Sequence, residues 1–187
     1  PTSHLHGCKN RVHSKIKKYK MKAFLVTVML LVATHLFSQS IPKFELTKSG
    51  VQSVEVIIDS SNAKEIYQKA LKWVNETFEN PKSVITRDQK NKYLRINGFR
   101  KNAWLYKSQD KVEIIDMEYS FSIAIKDKKV RLRFSIGQLW SENKKTIYDY
   151  TAFFNNTGEI KEDYTDAKQS LENSMNEIAS SLYYNIR

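Results

Sequence analysis

Two long alternating runs joined by two residues limit what this chain can fold into. In Glu113–Lys126, Met117, Tyr119, Phe121, Ile123 and Ile125 alternate with Glu118, Ser120, Ser122 and Ala124. In Lys129–Leu139, Val130, Leu132, Phe134 and Ile136 alternate with Arg131, Arg133 and Ser135. A period of two sends one set of side chains into a core and the other toward water. Asp127-Lys128 predicts a tight turn between the runs. The rest of the chain must therefore cover the apolar face of this hairpin.

Two segments have the helical spacing to do so. Asn62 with Glu65 forms a capping box, and Ile66, Ala70, Trp73, Val74 and Phe78 make one stripe. Asn80-Pro81 ends that helix, because proline disfavours helix in the residue before it. Near the other end Asp163 or Thr165 opens a second helix, with Ala167, Leu171, Met175, Ile178, Leu182 and Ile186 on its stripe. Val51–Asp59 predicts a first strand. Ser83–Arg87 and Tyr93–Phe99 predict a hairpin around the polar turn Asp88–Asn91. Trp104–Tyr106 is a continuation of that hairpin or a further short strand. Trp140–Thr146 is polar, Ile147–Phe154 reads as a last edge strand or a packed loop, and Asn155–Gly158 reads as a turn. The fold class is α+β: a two-layer sandwich in the order β-α-β4-α, with about five antiparallel strands and two helices on one face.

Ahead of this domain Met21–Ser38 reads as a secretory signal. Lys22 supplies the basic start, Ala23–Phe37 the apolar core and Ser38 the small residue before the cut. The run is shorter than the roughly 20 apolar residues of a spanning helix. No stable membrane span is expected after cleavage, and a lipid anchor would need a cysteine at the cut. Residues 1–20 are basic without an acid and read as sequence upstream of a start at Met21. The expected mature product is the single domain 39–187, placed in the periplasm or outside the cell.

Cleavage changes the chemistry. The chain carries 31 basic and 20 acidic residues, a net charge of +11. Seven basic residues and no acid precede position 39, so the domain is left with 24 against 20, a net +4. His4, His6, His13, His35 and the sole cysteine, Cys8, also lie in the removed part. Without histidine or cysteine there is no Ser-His-Asp or Cys-His catalysis and no zinc site of the usual nitrogen–sulfur kind. No D-x-D-x-D-G calcium loop and no phosphate-binding glycine loop occurs, so no cofactor is expected.

The helix sequence Ala63-Lys-Glu-Ile-Tyr-Gln-Lys-Ala-Leu-Lys-Trp-Val and the run Leu94-Arg-Ile-Asn-Gly-Phe resemble a secreted bacterial family of unknown function described as having a TBP-like fold. The resemblance extends over 44–139, through a hairpin like Val84–Gly98 and paired strands like Ser120–Ile125 and Val130–Ile136. It implies a last helix, here 163–186, and no known activity or site residues. The term describes topology rather than DNA binding, and fold does not set function.

The candidate sites are surfaces. Arg95, Asn97, Ser120, Ser122, Arg131 and Arg133 share the polar sheet face, which is either a platform for an anionic ligand or peptide or the wet side of a sandwich. Trp140, Tyr148 and Tyr150, with Phe153 and Phe154, either line a groove or plug one end of the core. S-x-x-K occurs at Ser40–Lys43, Ser61–Lys64, Ser108–Lys111 and Ser141–Lys144, without the S-D-N and K-T-G partners of Ser–Lys enzymes. Acids gather at Asp116/Glu118 and at Glu159, Glu162 and Asp163; those before the last helix suit its N-terminus. The expected role is a non-enzymatic binding module for an envelope protein or peptide. The alternatives are a small carboxylate or Ser–Lys hydrolase and, further off, a nucleic-acid binder. A charge of +4 and an export signal count against the last. N-terminal sequencing of the secreted product is expected to begin at Gln39; a product retaining residues before Met21 would restore the histidines and the cysteine.

Overall fold

The computed structural model describes residues 43–187 apart from 60, 109–110 and 142–146. The leader at 21–38, the basic stretch 1–20, Ser40 and Lys144 lie outside the described residues.

The central hairpin forms as its pattern requires. Strands β6 (Lys111–Lys126) and β7 (Lys129–Ser141) pair antiparallel, with Lys126 opposite Lys129 across the turn. Their neighbours complete one antiparallel sheet in the order β3-β7-β6-β5-β4, where β3 is Val54–Ile57, β4 Ile85–Gln89 and β5 Tyr93–Ser108. A short β8 (Ile147–Tyr148) pairs with the end of β7. Helix α1 (Ala63–Thr77) leaves the β3 edge, crosses the sheet and delivers the chain to β4 at the opposite edge. The last helix, α3 (Thr165–Ile186), packs on β5 and on α1.

The expected capping box opens α1. Asn62 Oδ1 accepts from the Glu65 N–H at 3.0 Å, and Glu65 accepts from the Asn62 N–H at 3.2 Å. The hairpin turn is tied to this same helix start: Asp127 Oδ1 accepts the Ala63 N–H at 2.9 Å. The stripe residues Ile66, Ala70, Trp73 and Val74 are buried, with Phe78 partly so. Trp73 stands edge-on to Phe121 of β6 at 6.2 Å, and its indole N–H donates to Ser181 Oγ of α3 at 3.0 Å. Every stripe residue of α3 is buried. Tyr67 adds a bond to the sheet edge, donating to the Asp88 carboxylate at 2.8 Å. Burial and the Asp88 carboxylate together push the Tyr67 phenol up to about 12.

Several boundaries differ from the sequence reading, while Trp104–Tyr106 follows one of its two expectations. Val51–Asp59 is two strands: β2 (Gly50–Val51) folds back on β1 (Leu46–Thr47) as a separate ribbon, and only β3 joins the main sheet. Pro81 sits in the first turn of a short helix α2 (Pro81–Val84), so the strand starts at Ile85 rather than Ser83. Trp104–Tyr106 continues β5, beyond a bulge between Arg100 and Trp104. Asn102 takes a positive φ of 53° in that bulge, and its N–H is held by Asp116 Oδ1 at 3.0 Å. Ile147–Phe154 combines both expectations, a two-residue strand followed by a 3-10 turn over Tyr150–Phe153.

Asn62→Ala is expected to lower unfolding stability by about 1 kcal/mol. Phe121→Ala, at the contact between the layers, should cost about 3–5 kcal/mol. Chemical denaturation of both variants checks the difference.

Candidate functional site

Both helices cover one face of the sheet, which leaves the other face open. On it, cross-strand register sorts side chains into rows. One row runs Arg87, Arg95, Ser122, Arg133 across β4, β5, β6 and β7. The next holds Gln89, Tyr93, Ala124, Arg131 and Glu55. On the other side lie Asn97, Ser120 and Ser135. All six sequence candidates on this face (Arg95, Asn97, Ser120, Ser122, Arg131 and Arg133) are thus brought together.

The sequence reading missed two contributors. Arg87 lies directly opposite Arg95, and Tyr93 lies beneath Arg87, whose guanidinium carbon is 5.2 Å from the ring centroid. Both sit in the short hairpin, whose strand pairing alone shows that they join this face.

The polar groups are partly organised already. Arg95 Nη2 donates to Ser120 Oγ at 3.1 Å, and Ser120 donates to Asn97 Oδ1 at 2.7 Å. Tyr93 donates to Ser122 Oγ at 2.9 Å. Glu55 binds the Arg131 guanidinium, with Nε at 2.8 Å, and the Lys129 ammonium at 2.5 Å. Hydrogen bonds from Lys129 and Arg131 hold its carboxyl down to about 2. Arg133 is exposed and makes no hydrogen bond or ion pair among the described residues. Like charges directly opposite each other weaken a strand pair, so Arg87 and Arg95 side by side cost stability when nothing neutralises them.

The open face ends in two hollows. At the β3 end, Lys92, Lys126, Lys129, Arg131 and Glu55 surround about 450 Å³. At the far end, a groove of about 680 Å³ lies between the segment after α1 and the bulged part of β5 and β6. It is lined by Gly98, Tyr119, Phe78 and Phe99, together with Glu79 and Glu118. A Cβ on Gly98 would fall 2.3 Å from the Tyr119 ring, so only glycine lets that ring lie there.

The other candidates are packed or bonded. Tyr148 is half-buried, stands edge-on to buried Trp104 at 5.5 Å and bonds Glu113. Phe153 lies 4.6 Å from Trp104 and stacks on Tyr164 at 5.1 Å. Trp140 is half-buried opposite Asp116, and Tyr150 half-buried in the 3-10 turn near Gly50. Phe153 and Phe154 are buried. The cluster closes one end of the core.

Of the S-x-x-K pairs, Ser61 is buried but Lys64 is exposed. Ser61 Oγ lies instead 3.4 Å from Lys69 Nζ, which also donates to the Arg187 carbonyl at 2.9 Å and so caps the end of α3. Ser108 and Lys111 are strand residues in register with each other. Asp116 serves the bulge, as above. Glu159 accepts from Asn155 Nδ2 at 3.0 Å and Thr157 Oγ1 at 2.9 Å, which lowers its carboxyl and closes the turn. Glu162 and Asp163 form the 3-10 turn before α3. Among the described residues no three His, Cys, Asp or Glu side chains converge as a metal site, and no helix is long and apolar enough to cross a membrane.

Residues 53–136 match the model of a family described as a domain of unknown function (DUF4468) with TBP-like fold. Two solved structures share the fold. One, a DUF4468 family protein from Bacteroides ovatus, is 14% identical, with a TM-score of 0.51 over 72% of this chain and 82% of its own. The other, a TBP-like protein from Parabacteroides distasonis, is 15% identical, with a TM-score of 0.50 over 72% of this chain and 88% of its own. No curated protein matches the chain.

The Glu55 pairing carries a pH dependence. Its folded value lies below the ordinary 4.5, so its stabilisation is complete above 4.5 and is lost as pH falls toward about 2. Carboxyl NMR titration should place the Glu55 midpoint near 2, and Glu55→Gln should flatten that part of the acid-unfolding profile.

Proposed function

We propose that this chain, whose residues 53–136 match the model of the DUF4468 family, is a non-enzymatic binding module of the cell envelope. In this reading the leader exports it, and the open sheet face receives an acidic segment of an envelope protein or peptide. The observation that carries the reading is the row Arg87, Arg95, Ser122, Arg133. Three guanidinium groups stand on one uncovered line across four strands, and the Glu55 carboxylate on this face is already committed to Arg131 and Lys129. Strands about 4.8 Å apart put Arg95 and Arg133 roughly 10 Å from each other. That spacing suits successive acidic groups of an extended partner better than one small anion. Guanidinium favours carboxylate because two N–H groups meet two oxygens.

A hydrolase finds less support. Asp116 is engaged in the bulge and Lys69 in capping α3. The face also pairs its positive charge with little exposed aromatic surface, which disfavours single-stranded nucleic acid.

Calorimetric titration of the full chain with a hexaglutamate peptide is the direct test. Binding is expected that weakens with salt. Exposed pairs contribute about 0.2–1 kcal/mol each, so the double variant Arg95→Ala/Arg133→Ala should bind roughly 3–10-fold less tightly. Equal affinity in the double variant refutes the reading. Tighter binding of a DNA duplex than of the peptide would favour the nucleic-acid alternative.

A further inference from the structure

The groove at the far end of the face has a different chemistry from the arginine row. Among the described residues no lysine or arginine lines it. Its polar groups are the amides of Asn80 and Asn97, the hydroxyls of Ser83 and Ser120, and the carboxylates of Glu79 and Glu118. Neither carboxylate pairs with a cation among the described residues. Phe78 and Phe99 supply ring surface. Tyr119 is the informative residue. It is 6% exposed, stacks on Phe134 at 5.0 Å and lines the groove, yet its hydroxyl meets no hydrogen-bond partner among the described residues. The ring is buried while the hydroxyl reaches the groove, so that donor is open to a ligand there. Burial also pushes this phenol up to about 12, so it remains a donor at physiological pH.

We propose that this groove is a binding site for a neutral, polyhydroxylated ligand of the saccharide class. Amides, hydroxyls and carboxylates interleaved without a cation match a ligand whose every polar group both donates and accepts. A carboxylate accepts two adjacent sugar hydroxyls, and the aromatic rings take the C–H face of a pyranose. A volume near 680 Å³ falls within the range of small-ligand pockets. An anionic ligand is disfavoured by Glu79 and Glu118. Gly98 is part of the device, since any side chain there would displace the Tyr119 ring. The inference does not rest on the arginine row.

The test is an amide NMR titration of the full chain with the neutral disaccharides cellobiose, maltose and chitobiose, with glutamate as the anionic comparison. Saturable shifts are expected with at least one disaccharide, centred on Phe99, Glu118 and Gly137. Tyr119→Phe keeps the ring and removes only the hydroxyl, and should weaken binding about 5–10-fold. Glu118→Gln should weaken it as well, while Arg133→Ala leaves it unchanged. Absence of saturable shifts with all three sugars overturns the proposal. Shifts unaffected by both Tyr119→Phe and Glu118→Gln also overturn it. Stronger binding of glutamate than of the sugars at these residues does the same.

Discussion

Phe121, at the centre of the sheet, is where the two layers meet. Trp73 of α1 and Phe44 of the lead-in each reach it edge-on at 6.2 Å, and Phe134 of the neighbouring strand lies at 5.9 Å. Aromatic groups bury large areas, so this cluster sets which side of the sheet the helices occupy. The crossing of α1 follows from the same contact. The helix starts beside the β6–β7 turn, held by Asp127, and one turn on Tyr67 holds Asp88 of β4. A helix bound through its first two turns and buried along its stripe has one place to lie. The polar face of every strand is then left uncovered.

That face changes character along its length. At the β3 end and through its middle it is basic, and its carboxylate there, Glu55, is consumed by Arg131 and Lys129. At the bulged end it carries Glu118, with Glu79 close by in the same groove and no cation among the described residues that line it. The change coincides with the places where the sheet departs from regular pairing. The register shifts between Arg100 and Trp104 and between Met117 and Tyr119. Gly137 sits opposite that second shift, where a Cβ would come within 3.0 Å of the Glu118 carbonyl. Bulges bend strands, and here the bend makes a hollow from a surface that would otherwise be a flat continuation.

The fold class could be read from periodicity because the signals were long and consistent. The runs around Asp127-Lys128 span many residues at period two, and both helices keep an unbroken stripe. The capping box at Asn62 and Glu65 was visible for the same reason, since its two members lie three residues apart. What escaped were short-range decisions settled by partners far away in sequence. Val51 read as the start of the first strand, but Gly50–Val51 pairs with Leu46–Thr47. Ser83 looked like strand, but Pro81 preorganises a helical turn. Lys69 lies on α1, and only the packing of α3 brings that helix's final carbonyls to its ammonium.

The sequence by itself determined the layers, the polar composition of one sheet face and the presence of Arg95, Asn97, Arg131 and Arg133 on it. Alternation assigns a face to each strand residue whatever its neighbour is. Alternation cannot say which strands adjoin or in what register. Only the tertiary structure placed Arg87 beside Arg95, set Arg133 in the same row two strands on, and joined Glu55 to Arg131. Only it laid the Tyr119 ring against Gly98 at the groove, because that depends on two strands meeting at one residue pair and on a bulge beside it.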